Sequence, residues 1–210
     1  MITETAMDSE TVCDRLSKRR RAFASVAREL FMHQGFEGTT LGQVVDRAGG
    51  SLATIYKLFG SKEGLFHAVI FEESRSSASL IRAIGEAEPD PVKALFRLAQ
   101  DLADRFLDPG DIALVRAVLG YSIENQAFAH RFYEDTTKPT RLALQALFER
   151  WRAAGFSLTQ EPGLLAEMFR GMIVGDLHMQ AISHGMAGTP NRQTIRHRTE
   201  VFLRGAGLLS

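Results

Sequence analysis

Two adjacent glycines, Gly49 and Gly50, separate two short amphipathic runs, and this spacing constrains the chain more than any other feature. Leu41, Val44, Val45 and Ala48 recur at helical spacing, which predicts a short helix with one apolar face over Leu41 to Ala48. Thr40 stands just before it as an N-cap. The glycines stop that helix, because glycine accepts the left-handed backbone a sharp turn demands. Ser51 caps a second run whose apolar positions are Leu52, Ile55, Tyr56 and Phe59. Two short helices joined by a glycine-containing turn form a helix-turn-helix, a motif whose second helix lies in the DNA major groove where it is used for that purpose.

The second helix has a composition suited to that use. Ile55 and Phe59, four apart, dock on the first helix, which leaves Ala53, Thr54 and Lys57 facing outward with Leu52 beside them. Small residues, one hydroxyl and one charge suit a surface pressed against base edges and phosphates. Leu52 or Ala53 would meet a thymine methyl, and Thr54 a base edge or a phosphate. Tyr56, Lys57 and Thr40 would hold phosphates, with Ser51 at the cap beside them. Gly60 and Ser61 end the helix and Ser61 caps the next one, where Lys62 and free backbone N–H groups could reach a further phosphate.

The stretch Thr39 to Phe66 resembles the DNA-binding domain of the TetR family of bacterial transcriptional regulators. Thr39, Thr40, Ala48, Gly49, Ser51, Tyr56, Phe59, Ser61, Lys62, Glu63 and Leu65 fall on that family's pattern. One position departs. Gly50 stands where the family usually carries an apolar residue, most often valine, so a small core contact is missing and the turn is looser. The resemblance implies an all-α protein with an N-terminal helix-turn-helix domain and a C-terminal helical domain for ligand binding and dimerisation. It also implies a homodimer that binds a palindromic operator and is released by a small apolar or amphipathic effector. The ligand itself does not follow from the resemblance.

Charge is distributed as that reading requires. The net charge of the 210 residues is zero, but residues 15–66 carry nine bases (15, 18, 19, 20, 21, 28, 47, 57, 62) against four acids (29, 37, 46, 63), a net of +5. Residues 67–210 carry sixteen bases against seventeen acids, and residues 1–14 four acids and no base. A basic module followed by a near-neutral one is expected if only the first meets a polyanion. Arg19, in the basic run Arg15 to Arg21, is read as part of an arm that follows the phosphate backbone or enters the minor groove; the alternative is a solvated helix start.

The expected domains are an acidic, disordered tail over 1–14, the helix-turn-helix domain over 15–66, and the second domain over 67–210. Hydrophobic residues make up 45% of the chain, enough for a substantial core. No apolar run approaches the roughly 18 residues of a membrane span, and the first residues lack the basic start and apolar stretch of a signal peptide. Cys13 is the only cysteine, so no intrachain disulfide forms, and a cytoplasmic setting fits best.

Beyond Ala78 the pattern is helical throughout, punctuated at Pro91, Pro109, Pro139, Pro162 and Pro190, with Thr189-Pro190 as the cap of the last helix. The helix linking the domains, Leu65 to Phe71, is the expected transmitting element. Phenylalanine-rich faces, with Trp151 and the methionines, either line an apolar cavity or fill a core. The resemblance raises the cavity reading, which gives Phe96, Leu102, Phe106, Val118, Ser122, Phe128, Trp151, Phe169 and Met172 as candidate ligand contacts. Asp176, a carboxylate in an apolar stripe, is either a polar anchor for that ligand or the partner of an arginine.

Leu164 to Ile182 is apolar on more than one side and carries Gly171 and Gly175 four apart, as a close helix–helix approach would require. With Phe202 on the last helix these residues are expected at a dimer interface; the alternative is packing within one chain. His178 and His184 are six apart, not the three or four a helical metal pair needs, so no metal is expected. No cofactor is expected, and no nucleophile elbow or phosphate-binding glycine loop suggests an enzyme. The rival reading is a helical small-molecule-binding or enzymatic protein whose first domain is only scaffold.

Overall fold

Helix α1 spans Glu4–Gly38, and its register is broken once, at Gly35, whose φ of 74° and ψ of 176° are non-helical. The computed structural model describes residues 4–106, 109–184, 186 and 191–209, and all regular structure among them is helical. The tail expected to be disordered is thus helical from Glu4. Residues 1–14 contain neither glycine nor proline, and their acids lie toward the positive end of the helix dipole, so nothing in the sequence stops the helix there.

The chain divides into two compact units, Met1–Ile70 and Phe71–Ser210, four residues later than the expected boundary after Phe66. In the first unit α1 is followed by α2 (Leu41–Ala48), α3 (Leu52–Phe59) and the start of α4 (Lys62–Ala87). Phe23, Ala27, Leu30 and Phe31 of α1, Val44 of α2, Ile55 of α3 and Leu65 and Phe66 of α4 are all almost fully buried and form its core. Phe36 packs against Phe31 and Phe66, with ring centroids 5.9 and 4.8 Å away.

The second unit continues α4 and adds α5 (Pro91–Phe106), α6 (Pro109–Glu124), α7 (Gln126–Phe132), a π-helical turn (Tyr133–Thr137), α8 (Lys138–Ala153), α9 (Pro162–Ile182) and α10 (Arg192–Gly205). Helix α9 packs on α8, α6 and α5, and α10 lies along α5. The core runs from Ile81 and Ile84 through Leu95, Leu98 and Ala99 to Leu144, Phe148, Trp151, Leu165 and Leu203. Thr189 and Pro190 lie outside the described residues. The cap of α10 is Asn191, whose Oδ1 accepts from the Thr194 amide at 2.8 Å.

Candidate nucleic-acid interface

Local chemistry shapes the helix-turn-helix. Thr40 and Gln43 form a reciprocal capping box: Thr40 Oγ1 accepts from the Gln43 amide at 3.2 Å, and the Thr40 amide donates to Gln43 Oε1 at 2.9 Å. Gln34 Nε2 donates to the same Oε1 at 2.9 Å, which ties the cap to α1. Ser51 Oγ accepts from the Thr54 amide at 3.2 Å and lies 2.9 Å from Thr54 Oγ1. Between the helices, Gly49 and Gly50 have φ of 72° and 109°. A Cβ on Gly50 would meet Phe23 Cζ at 3.2 Å, so the departure from the family pattern has a local cause: this turn's backbone is one that valine rarely adopts.

Helix α3 presents one face to solvent. Ile55 is fully buried, whereas Leu52 and Tyr56 are 47% and 53% exposed, with Ser51, Ala53 and Lys57 exposed beside them and Thr54 half-buried. Thr40 is exposed at the start of α2. Ser51, Leu52, Ala53, Tyr56 and Lys57 thus form an exposed run along α3 and its cap.

Two of the cationic candidates sit differently from the expectation. Lys62 is turned inward: its side chain is 22% exposed, Nζ donates to the Phe36 carbonyl at 2.9 Å, and it lies 4.2 Å from the Phe36 ring centroid. Arg19 Nη1 donates to the carbonyls of Ala48 and Gly49 at 3.1 and 3.2 Å. Arg20, not singled out from the sequence, donates to the Leu58 carbonyl at 2.8 Å and lies 4.7 Å from the Phe59 ring centroid. No sequence signal pairs a cation with a distant backbone carbonyl, because every residue offers one.

At the start of α4 Ser61 Oγ accepts from the Gly64 amide at 3.1 Å. The Ser61 hydroxyl hydrogen bond and the Glu63 backbone amide hold the Glu63 carboxyl below its ordinary range, with help from the Lys62 charge and against a small opposing effect of burial.

The candidate ligand residues of the second unit fall into two groups. Leu102, Trp151 and Phe169 are core residues, with Phe96 and Met172 packed against them. Val118 and Phe128 are buried outside that cluster; Phe128 meets Tyr121 edge-on at 4.9 Å. The Ser122 hydroxyl is enclosed and has no hydrogen-bond partner among the described residues. The side chain of Phe106 lies outside the described residues. Asp176 pairs with Arg198 of α10, so its partner is the arginine of the alternative reading and not a free anchor's ligand.

Helix α9 is buried on one side only. Leu165, Phe169, Ile173 and Leu177 face the core, while Leu164, Met168, Met179 and Ile182 are 46%, 52%, 54% and 65% exposed. Met168 and Met179 thus belong to the outer face. Gly171 and Gly175 share that outer face, and a Cβ on either would meet nothing within 4 Å. Phe202, expected at a dimer interface, is instead buried in its own chain, 5.2 Å from the Phe169 ring and 6.1 Å from that of Phe148. Among the described residues no group of three metal-ligating side chains converges, and no helix is long and apolar enough to cross a membrane.

Comparison with known proteins agrees with this arrangement. Residues 24–69 match the family model described as bacterial regulatory proteins of the tetR family, and residues 93–205 match the C-terminal domain of AefR-like transcriptional repressors. The regulator YvkB of Bacillus subtilis strain 168 is 23% identical over 183 residues, covering 85% of this chain and 92% of its own. A TetR-family transcriptional regulator from Mesorhizobium loti MAFF303099 superposes with a TM-score of 0.78 at 20% identity, over 90% of this chain and 97% of that one. The flavonoid-responsive regulator FrrA superposes with a TM-score of 0.61 at 25% identity, over 90% and 96%. With both halves matched, the chain belongs to the TetR family of transcriptional regulators, and it is a regulator, not an enzyme.

Proposed function

We propose that the protein is a repressor that binds a palindromic operator as a homodimer and is released by a small amphipathic effector. The observation that carries the DNA reading is the split of α3: Ile55 is fully buried while Leu52 and Tyr56, two large side chains, stand about half-exposed with Lys57 beside them. A scaffold helix gains nothing from leaving these in water, whereas a recognition helix needs them there. Leu52, Ala53 and Thr54 read base edges, and Tyr56, Lys57, Ser51 and Thr40 hold phosphates. The repressor sense follows the matched C-terminal model, which describes repressors.

The dimer reading rests on the outer face of α9. Leu164, Met168, Gly171, Gly175, Met179 and Ile182 alternate by three and four residues, the spacing of a helix-packing seam. The two glycines open that seam to a backbone from a second copy. For the effector, support comes from the enclosed Ser122 hydroxyl on α6, the helix that also carries buried Val118. An enclosed hydroxyl without a partner is uncommon, and a ligand with an apolar body and one hydrogen-bonding oxygen would satisfy it. FrrA, a flavonoid-responsive regulator, makes flavonoids a reasonable first probe set.

The test is a gel shift with DNA upstream of the protein's own gene, against a scrambled duplex of equal length. Retardation of the first duplex alone, reversed by one of the amphipathic probes, is the expected result. Equal retardation of both duplexes would reduce the protein to a non-specific DNA binder.

A further inference from the structure

The first unit contains three cations, the exposed Arg20 and the half-buried Arg19 and Lys62, whose side chains donate to backbone carbonyls. Each lies at the C-terminal end of a different helix. Lys62 donates to the Phe36 carbonyl near the end of α1. Arg19 donates to Ala48 and Gly49 at the end of α2. Arg20 donates to Leu58 at the end of α3 and stacks on Phe59 of the same turn. The last carbonyls of a helix have no partner within it and carry the negative end of its dipole, so a cation there is favoured by both hydrogen bonding and charge.

The two arginines also join elements. They sit one after the other on α1, and they hold the ends of α2 and α3 respectively. The turn between α2 and α3 cannot fix their angle alone, because Gly49 and Gly50 supply no side chain to pack. The fixed guanidinium forks of Arg19 and Arg20 supply constraints the turn lacks.

We propose that Arg19, Arg20 and Lys62 are positioning residues that set how α3 is presented to DNA, while phosphate neutralisation falls to Lys57 and to the exposed Arg15 and Arg21. This rests on the operator-binding reading above. It separates the +5 charge of residues 15–66 into charges that build the reader and charges that meet the ligand.

Salt dependence distinguishes the two roles, since each phosphate contact contributes about 0.9 to the slope of log K against log salt. Binding of the full-length protein to the operator duplex and to a scrambled duplex is measured by fluorescence anisotropy across a salt series, for wild type, Arg20→Met, Arg20→Lys and Lys57→Ala. Lys57→Ala should weaken binding to both duplexes and lower the slope by about 0.9. Arg20→Met should weaken operator binding about tenfold, the scale of one charge-assisted hydrogen bond, and leave scrambled-duplex binding and the slope unchanged. Arg20→Lys, which keeps a donor and the ring contact, should recover part of the operator affinity, and it carries the test if circular dichroism shows that the methionine variant has lost helix. A slope lowered by about 0.9 in either Arg20 variant would make Arg20 a phosphate contact and overturn the proposal. So would operator affinity equal to wild type in folded Arg20→Met, which would leave the arginine a stability role only. Failure of the wild type to prefer the operator would instead remove the operator-binding reading, and the proposal with it.

Discussion

Replacing Gly50 by valine, the residue commonest at this place in the family, should destabilise this protein's first unit. Two penalties act. At φ of 109° an L side chain is strained, which costs about 1–3 kcal/mol, with a β-branched residue toward the upper end. The new Cβ would also stand 3.2 Å from Phe23 Cζ, and Phe23 is fully buried with its ring 6.4 Å from that of Phe59, so it has little room to yield. Against these, a non-glycine residue restricts the unfolded chain, a gain of about 0.4–1 kcal/mol. The balance is a loss of about 1–2 kcal/mol. Because the chain has two units, one global unfolding midpoint is a poor reporter. Native-state amide hydrogen exchange resolves the first unit directly. The Val44 and Ile55 amides should exchange about tenfold faster, as about 1.4 kcal/mol implies. The fluorescence transition of Trp151, buried in the second unit's core, should be unmoved. Exchange as slow as wild type, or slower, would show that the turn accepts valine and that the glycine is not needed there.

Other substitutions probe separate contacts. Gly64→Ala would drive a Cβ into the Phe59 carbonyl oxygen, a backbone atom that cannot swing aside, so the variant should lose helix content at the α3–α4 junction by circular dichroism and exchange; a variant as protected as wild type would refute that packing. Glu63→Gln should be less stable than wild type at neutral pH. Because the folded carboxyl titrates below its ordinary value of 4.5, its stabilisation is present above that value and is lost as pH falls through the lowered one. The gap between the two proteins in urea midpoint should therefore close in acid, and a constant gap would rule out titration of Glu63 as its source. Asp176→Ala removes the partner of Arg198 between α9 and α10; both groups keep some solvent exposure, so the cost should stay below about 1 kcal/mol. Gly175→Leu should shift sedimentation toward monomer if α9 meets its copy along the outer seam, and an unchanged species would remove Gly175 from the interface.

What was legible in the sequence is what local chemistry determines. The caps Thr40, Ser51 and Ser61 each bond an amide three residues ahead, so a short window holds the whole signal. The proline-opened helices α5 and α9 start at Pro91 and Pro162 for the same reason. Long-range use of a side chain is different. Arg19, Arg20 and Lys62 bond carbonyls 26 to 38 residues away, and the acceptors are generic backbone atoms, so the charge of Arg19 and Lys62 suggests phosphate and nothing local corrects it. On α9, apolar residues occupy every face, and periodicity could not tell that Phe169 turns inward and Met168 outward. Phe202 is ambiguous in the same way: an aromatic on an amphipathic helix suits an interface or a core equally, and here its ring packs against those of Phe148 and Phe169. The acidic composition of residues 1–14 suggested disorder, whereas the lack of a helix breaker permits α1 to begin at Glu4.

The central claim, sequence-specific recognition by a two-fold reader, is tested most directly by selecting duplexes from a random pool with the full-length protein and footprinting those enriched. The account predicts an inverted repeat whose half-site centres lie about 34–36 Å apart along the helix, or a multiple of that distance, with protection centred on each half. Enrichment of no motif, or of a single unrepeated site protected over one half-turn, would contradict it.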